Sequence, residues 1–310
     1  MNVIYMGTPD FAVPALSVLA ENTNVLLVFT QPDKAKGRGK KVQFTPVKEC
    51  ALKYGLEIAQ PEKIKGNTEI IERVKALKPD LIVVAAYGQI LPKEFLEIPK
   101  YGCINIHASI LPKYRGAAPI QWSIIDREKR TGVTTMYMEQ GLDTGDILEQ
   151  AIVPIDDKDT GGTLHDKLAS AGADLIVQTL KHLEQGQVLR TKQNEHLSCY
   201  AKMLDKNLGQ IDFSMCAQDI ERLVRALNPW PSAYTTLNHK NLKIWDAIVI
   251  TREYPGDYGE IVEITKEMIV VKTKENALGI KSLQLEGKKR MLVSEFLRGY
   301  ALTTGQNLGS

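Results

Sequence analysis

The 310-residue chain is about twice a typical domain length, so two domains are expected, or one large α/β domain with an appendage. Apolar residues make up 44% and charged residues 25%, which excludes a disordered, collagen-like or coiled-coil chain. Lys plus Arg exceed Asp plus Glu by only 39 to 37, so no overall field draws nucleic acid or an anionic membrane, and any such partner must be held by local basic clusters.

The opening MNVIYMGTPDF carries no basic region ahead of a long apolar run, and no stretch approaches about eighteen uninterrupted apolar residues. Neither export nor a membrane span is expected, and the expected address is cytoplasmic. Cys50, Cys103, Cys199 and Cys216 are far apart with no C-x-x-C pair, so they are expected to be reduced, mostly buried thiols with neither a disulfide framework nor a metal site.

Through about residue 130, short Val/Ile/Leu-rich runs alternate with segments of helical period, the signature of successive βαβ units on a parallel sheet. The expected strands are Val3 to Met6, Val25 to Thr30, Leu56 to Ala59, Leu81 to Ala86 and Cys103 to His107. Between them, Phe11, Ala15, Val18 and Leu19 form one helical stripe, and Ile70, Ile71, Val74 and Leu77 another before Pro79. Thr45, Pro46 and Gly55 read as N-cap, first turn and stop of a helix. A β-rich stretch near Val133 to Val153 precedes a long helix from about Thr163 to Gln185, ended by Gly186. Residues 190–205 are polar and weakly patterned, a linker between a domain over 1–189 and one over 206–310. In the latter, a helix from Ser214 to Asn228 stops at Pro229-Trp230-Pro231. Short strands then follow at Leu242 to Ile250, Gly259 to Ile264, Met268 to Thr273 and Leu278 to Leu285, suggesting a small β-barrel.

In open parallel sheets, ligands sit beyond the carboxyl ends of the strands, which selects Gly7-Thr8, Tyr87-Gly88 and Asn105 to His107. Asn105 and His107 project from one strand face while Ile104 and Ile106 pack on the other. Two readings are open: a polar pair satisfied by neighbouring loops, or an amide that stabilises an oxyanion beside an imidazole that handles protons. In GLDTGDIL, two glycines bracket Asp143; turn aspartates, Asp146 included, usually cap their own backbone. A carboxylate brought near His107 would instead orient the ring and favour the imidazolium. MGTPDF lacks the dinucleotide-binding G-x-G-x-x-G pattern, and no Walker A loop, nucleophile elbow or nucleophilic cysteine motif appears. His165, His182, His196 and His239 have no ligand spacing and read as surface or packing residues. The run from residue 33, DKAKGRGKKVQFTPVK, sets Lys34, Lys36, Arg38, Lys40, Lys41 and Lys48 against a single Asp33. It is either a solvated loop or, lying on the same carboxyl edge, a grip for phosphate. A smaller basic cluster lies at Lys288, Lys289 and Arg290.

Over nearly its full length the chain resembles the methionyl-tRNA formyltransferase family. The strings that carry the likeness are MGTPDFA, FTQPDKAKGRGKK, AAYGQILP, GCINIHASILPKYRGAAPIQW, GLDTGDIL and NPWP. The resemblance implies a Rossmann-like formyltransferase domain followed by an OB-like barrel domain that contacts tRNA. It implies transfer of the formyl group of 10-formyltetrahydrofolate, with no metal, to the methionine of initiator methionyl-tRNA by direct attack of the amine. A monomer without membrane contact is expected. The family's catalytic residues fall on Asn105, His107 and Asp143. Its folate-binding stretches fall on Tyr87, Gly88, Gln89, Ile90 and Leu91, and on Ser109, Ile110, Leu111 and Pro112, where Ile110 keeps the apolar character of a commoner Leu. Ala108 stands where a Gly is common, a change compatible with any backbone that does not need positive φ. Arg38 resembles the arginine of the family's tRNA-acceptor loop, and with Lys34, Lys36, Lys40 and Lys41 of the same basic run it is expected to bind tRNA. Relatives with the same catalytic set formylate amino-sugar nucleotides, and a silent folate- or RNA-binding module would keep the pocket without turnover. The basic insertion combined with an OB-like barrel favours tRNA.

Overall fold

Val3, Ile4, Tyr5 and Met6 have no exposed surface, and this apolar run forms the centre of β1 (Asn2–Gly7), a strand buried on both faces as a parallel sheet requires. The computed structural model describes residues 1–36 and 41–309, which pack as two units. The first comprises Met1–Pro119, Arg130–Pro154 and His165–Ala201; the second comprises Ile120–Lys129, Ile155–Leu164 and Lys202 onward.

After β1 come α1 (Val13–Asn22), β2 (Asn24–Phe29), a hairpin of β3 (Lys34–Lys36) and β4 (Lys41–Gln43), α2 (Pro46–Lys53) and β5 (Ile58–Ala59). Then follow α3 (Thr68–Leu77), β6 (Leu81–Ala85), α4 (Lys93–Leu96), β7 (Cys103–His107), β8 (Arg115–Gly116) and α5 (Pro119–Ile125). The antiparallel pair β9 (Arg130–Tyr137) and β10 (Ile147–Pro154) leads to α6 (Gly161–Glu184) and β11 (Tyr200–Ala201). The main sheet has seven strands in the order β10-β9-β7-β6-β1-β2-β5, parallel from β7 to β5. The chain therefore runs outward from β1 through β2 to β5, then returns to β6 on the other side of β1. This reversal opens a crevice at the carboxyl ends of β1 and β6, the place where such sheets bind ligands. Thr8, just past β1, bridges it by donating from its hydroxyl to the Tyr87 carbonyl at 3.0 Å.

Local signals account for the helix ends. Thr45 Oγ1 accepts from the Lys48 N–H at 3.1 Å and Pro46 occupies the first turn of α2. Thr45→Ala is expected to lower stability by about 1 kcal/mol and Thr45→Ser to restore it, as read from urea midpoints. In α1 the buried residues are Ala15, Leu16 and Leu19, so Leu16 takes the inward place expected of the half-buried Val18. All four cysteines are free; Cys50 and Cys103 are buried, whereas Cys199 is exposed.

The second unit holds α7 (Ala217–Ala226), β12 (Ala233–Leu237), β13 (Lys240–Ile250), β14 (Ile261–Ile264), β15 (Ile269–Lys272), β16 (Ala277–Leu285), β17 (Met291–Leu292) and α8 (Val293–Gly299). Its strands pair antiparallel in the order β12-β13-β16-β15-β14, with β17 on β16. Ile220 and Val224 of α7 and Val293 and Phe296 of α8 join Leu242, Ile244, Val271, Ile280 and Leu283 in one core. The arrangement is consistent with an OB-like domain; among the described residues no ladder joins β12 to β14 to close it into a barrel. Among the described residues no helix is long and apolar enough to cross a membrane.

Candidate active site

On β7, Cys103, Asn105 and His107 share a face by strand alternation, while Ile104 and Ile106 are buried on the other. Cys103 packs in the core layer formed with α3 and α4, and burial pushes its thiol up to about 12. It is inert there as a nucleophile. His107, at the carboxyl end, is only 6% exposed. Its Nε2 lies 2.9 Å from the Tyr114 carbonyl, which can only accept, so Nε2 carries a hydrogen. The remaining nitrogen, Nδ1, faces Asp143 Oδ2 at 3.7 Å. That distance is longer than a hydrogen bond but makes an ion pair when both ring nitrogens are protonated. The partly buried Asn105 carboxamide makes no hydrogen bond to any described residue and keeps both donors free.

Asp143 reaches this place through the β9–β10 connection. Its φ of +52° is left-handed, a region that Asp enters at less cost than most residues. At Gly145 an added Cβ would lie 1.8 Å from the Tyr137 carbonyl oxygen, so the loop closes this tightly only with glycine there. Asp143 Oδ2 also accepts from the Gly116 N–H at 2.9 Å. Gly116 itself (φ +115°) approaches Tyr200 so closely that a Cβ would meet its ring at 2.6 Å. Asp146 only contributes its carbonyl, which accepts from the Tyr137 N–H at 2.9 Å.

The residues expected to hold the donor lie on two loops that leave neighbouring strands. Beyond β6, Tyr87 and Leu91 are buried in the core layer and Ile90 is 85% exposed. Burial drives the Tyr87 phenol far up, and its hydroxyl has no partner among the described residues. The Gln89 amide is committed to the backbone of Pro61, Glu62 and Ile64. Gly88 takes φ +87°. Beyond β7, Ser109 is fully buried and donates to the Lys113 carbonyl at 2.6 Å, while its own carbonyl accepts from Thr134 Oγ1. Thr134 also receives the Leu111 N–H, and Gln150 donates to the Leu111 carbonyl at 2.9 Å, so the 109–112 turn is pinned from beneath and Ile110 and Pro112 are its more open members. Ala108 does not take positive φ, so its methyl is accommodated.

Of the basic run, Lys34 is exposed on β3; Arg38 and Lys40 lie outside the described residues, as do the side chains of Lys36 and Lys41. Lys48 is not a free cation: it pairs with Asp33, donates to Gln60 at 2.7 Å and sits 4.1 Å above the Phe44 ring. Although Asp33 loses hydration, the hydrogen bonds from Lys48 and Gln60 hold its carboxyl below the usual range. Sequence reading misses Tyr114, Arg115 and Gln193. Arg115 is buried and forms a two-pronged pair with Glu195 at 2.8 and 3.0 Å. That hydrogen-bonded guanidinium holds the Glu195 carboxyl below its ordinary range. Nothing in the spacing marks Arg115 and Gln193, because their partners lie 48 to 80 positions away in the chain, and Tyr114 acts only through its backbone carbonyl, which side-chain chemistry does not announce.

Residues 1–180 match the formyl transferase family model and residues 203–301 match the model for the formyl transferase C-terminal domain. The chain belongs to the formyl transferase family. It is 50% identical over 310 residues, all of both chains, to the methionyl-tRNA formyltransferase of Clostridioides difficile (strain 630). It is 52% identical to that of Alkaliphilus metalliredigens (strain QYMF), covering 100% of this chain and 98% of the relative. Among solved structures it resembles an N-formyltransferase from Helicobacter canadensis bound to folinic acid and dTDP-3-aminofucose, with a TM-score of 0.68 at 21% identity, over 90% of this chain and 98% of that one. It also resembles HypX from Aquifex aeolicus, with a TM-score of 0.64 at 18% identity; 98% of this chain spans 49% of that one, about half its length. At these identities the solved structures share the fold.

Proposed function

We propose that this protein transfers the formyl group of 10-formyltetrahydrofolate to the α-amino group of methionine on initiator methionyl-tRNA, in the cytoplasm. The observation that carries the reading is the placement of His107 Nδ1 against Asp143 at 3.7 Å, beside an Asn105 with no partner among the described residues, at the mouth of a formyl transferase sheet. The donor supplies a carbonyl already activated for loss of its nitrogen. The loops at 87–91 and 109–112 are the candidate holders of that donor, with the exposed Ile90 as an accessible apolar group.

The chain's own residues then divide the work. Asn105 donates from its free amide to the carbonyl oxygen as negative charge gathers there during direct attack by the neutral amine. Because Tyr114 occupies Nε2, Nδ1 is the nitrogen of His107 that acts on the reacting atoms. The gap of 3.7 Å leaves the Nδ1 proton free for the oxyanion or for a water leading to the departing nitrogen as the formyl C–N bond breaks; the proton shed by the attacking amine replaces the one given up, and Asp143 orients the ring and balances its charge.

Purified protein given charged initiator tRNA and the formyl donor is expected to yield N-formylmethionyl-tRNA and to leave a dTDP-amino sugar untouched. Formylation of the sugar alone, or no turnover with any acceptor, would overturn the reading. Arg38→Ala is expected to weaken tRNA use and flatten its salt dependence by about one phosphate contact while folate affinity stays nearly constant. Equal damage to both would make the basic run a structural element.

A further inference from the structure

The segment that follows α6 is stitched to the loop that carries Asp143. Arg190 stacks its guanidinium 3.9 Å over the Tyr137 ring, and Thr191 and Ile147 exchange both backbone hydrogen bonds at 2.9 Å. These contacts deliver Gln193, a half-buried side chain whose amide nitrogen donates to the carbonyls of both Asp143 and Gly145 at 2.8 Å. Its other end is fixed too, since Gln193 Oε1 accepts from Arg115 Nε at 2.9 Å and Arg115 is locked by Glu195. The amide orientation is thereby settled: an oxygen facing the two carbonyls would remove both bonds and set the Arg115 N–H against an NH2.

A non-glycine residue at φ +52°, as Asp143 is, stands in a sparsely populated region and persists only where its surroundings hold it. One amide gathering the carbonyls on either side of Thr144 is such a hold. The next residue after Arg115, Gly116, holds the Asp143 carboxylate through its N–H. Residues 115–116 and 193 thus fix both the backbone and the side chain of one aspartate.

We infer that Gln193, braced by Arg115 and Glu195, is a positioning residue for formyl transfer that acts through Asp143. The inference rests on the proposed role of Asp143 and goes beyond it by assigning the residue that sets that carboxylate's place. A small displacement of a charged group from its working position costs far more in rate than in binding.

The test is a double-mutant cycle read on kcat and KM separately. Gln193→Ala is expected to lower kcat on the order of 10-fold with KM for both substrates within about twofold. Gln193→Glu, which keeps an acceptor for Arg115 but turns oxygen toward two carbonyls, is expected to lose at least as much. In an Asp143→Asn background the same Gln193 substitutions are expected to cost less than about twofold, because the group they position has already lost its charge. A full and additive loss in that background, a loss confined to KM, or no loss in the single variants would overturn the inference while leaving the function intact. Asp143→Asn at wild-type activity would overturn the parent reading and this inference together. Thermal unfolding of each variant is measured in parallel, and a kcat that recovers in step with restored folding at lower temperature counts against the inference.

Discussion

Asn105→Ala is expected to lower the rate of formyl transfer by 100- to 1000-fold, on the order of what the loss of one oxyanion donor costs elsewhere. The size follows from the state of the carboxamide, which has no partner among the described residues and sits on the strand face shared with His107. Its donors are therefore held ready without being used in the ground state, the condition under which an interaction favours the transition state over bound substrate. For the same reason the fold does not depend on it, and the substitution should change stability by no more than about 1 kcal/mol. Asn105→Asp removes the donors while keeping the shape and should lose at least as much rate. Single-turnover formylation checks both variants, and a loss below about threefold would remove Asn105 from the mechanism.

The second large effect is expected at Asp143. Asp143→Asn keeps an oxygen to accept the Gly116 N–H, now at 2.9 Å, but removes the charge that faces His107 Nδ1. By analogy with other imidazoles deprived of an orienting carboxylate, kcat should fall by a factor on the order of 100 to 10,000. Asp143→Ala should add a structural cost, since the Gly116 N–H is then left without its acceptor, a loss of about 1–3 kcal/mol for a group held away from water. Comparing the two by kcat and by urea midpoint separates the charge from the scaffold. Equal kcat in Asp143→Asn and the unaltered protein would show that the carboxylate plays no part in the chemistry.

The parallel half of the sheet is legible because its strands are short, apolar and separated by helices of clear period. Cys103 to His107 is bounded in the structure where the sequence bounds it. Strand alternation then places Asn105 and His107 together without any knowledge of tertiary contacts. What one residue does to a distant neighbour is not legible in this way. Gln193 lies in a polar stretch that looks like a linker, yet residues 190 to 201 belong to the first unit and are hydrogen-bonded within it through Thr191, Gln193 and the parallel pairing of β11 with β8. Polar composition describes such a segment equally well whether its groups meet water or partners.

The second unit shows the opposite failure, in local chemistry. β12 escapes sequence reading because its connection to β13 is a two-residue turn of Asn238 and His239, both at positive φ, where a glycine would have announced it. α8, with only seven residues, is too short to display a period, and its place is set by Val293 and Phe296 entering the core. Lys48 illustrates the same limit for charge: read as one more cation in a basic run, it is taken up by Asp33 and Gln60.

The most direct measurement is a crystal structure with a stable formyl-folate analogue bound. The geometry at β7 predicts its carbonyl oxygen about 2.7–3.1 Å from the Asn105 amide nitrogen and on the Nδ1 side of His107, with Nε2 still on Tyr114. A carbonyl seated elsewhere along the sheet edge, beyond one bridging water from both Asn105 and Nδ1, would contradict it.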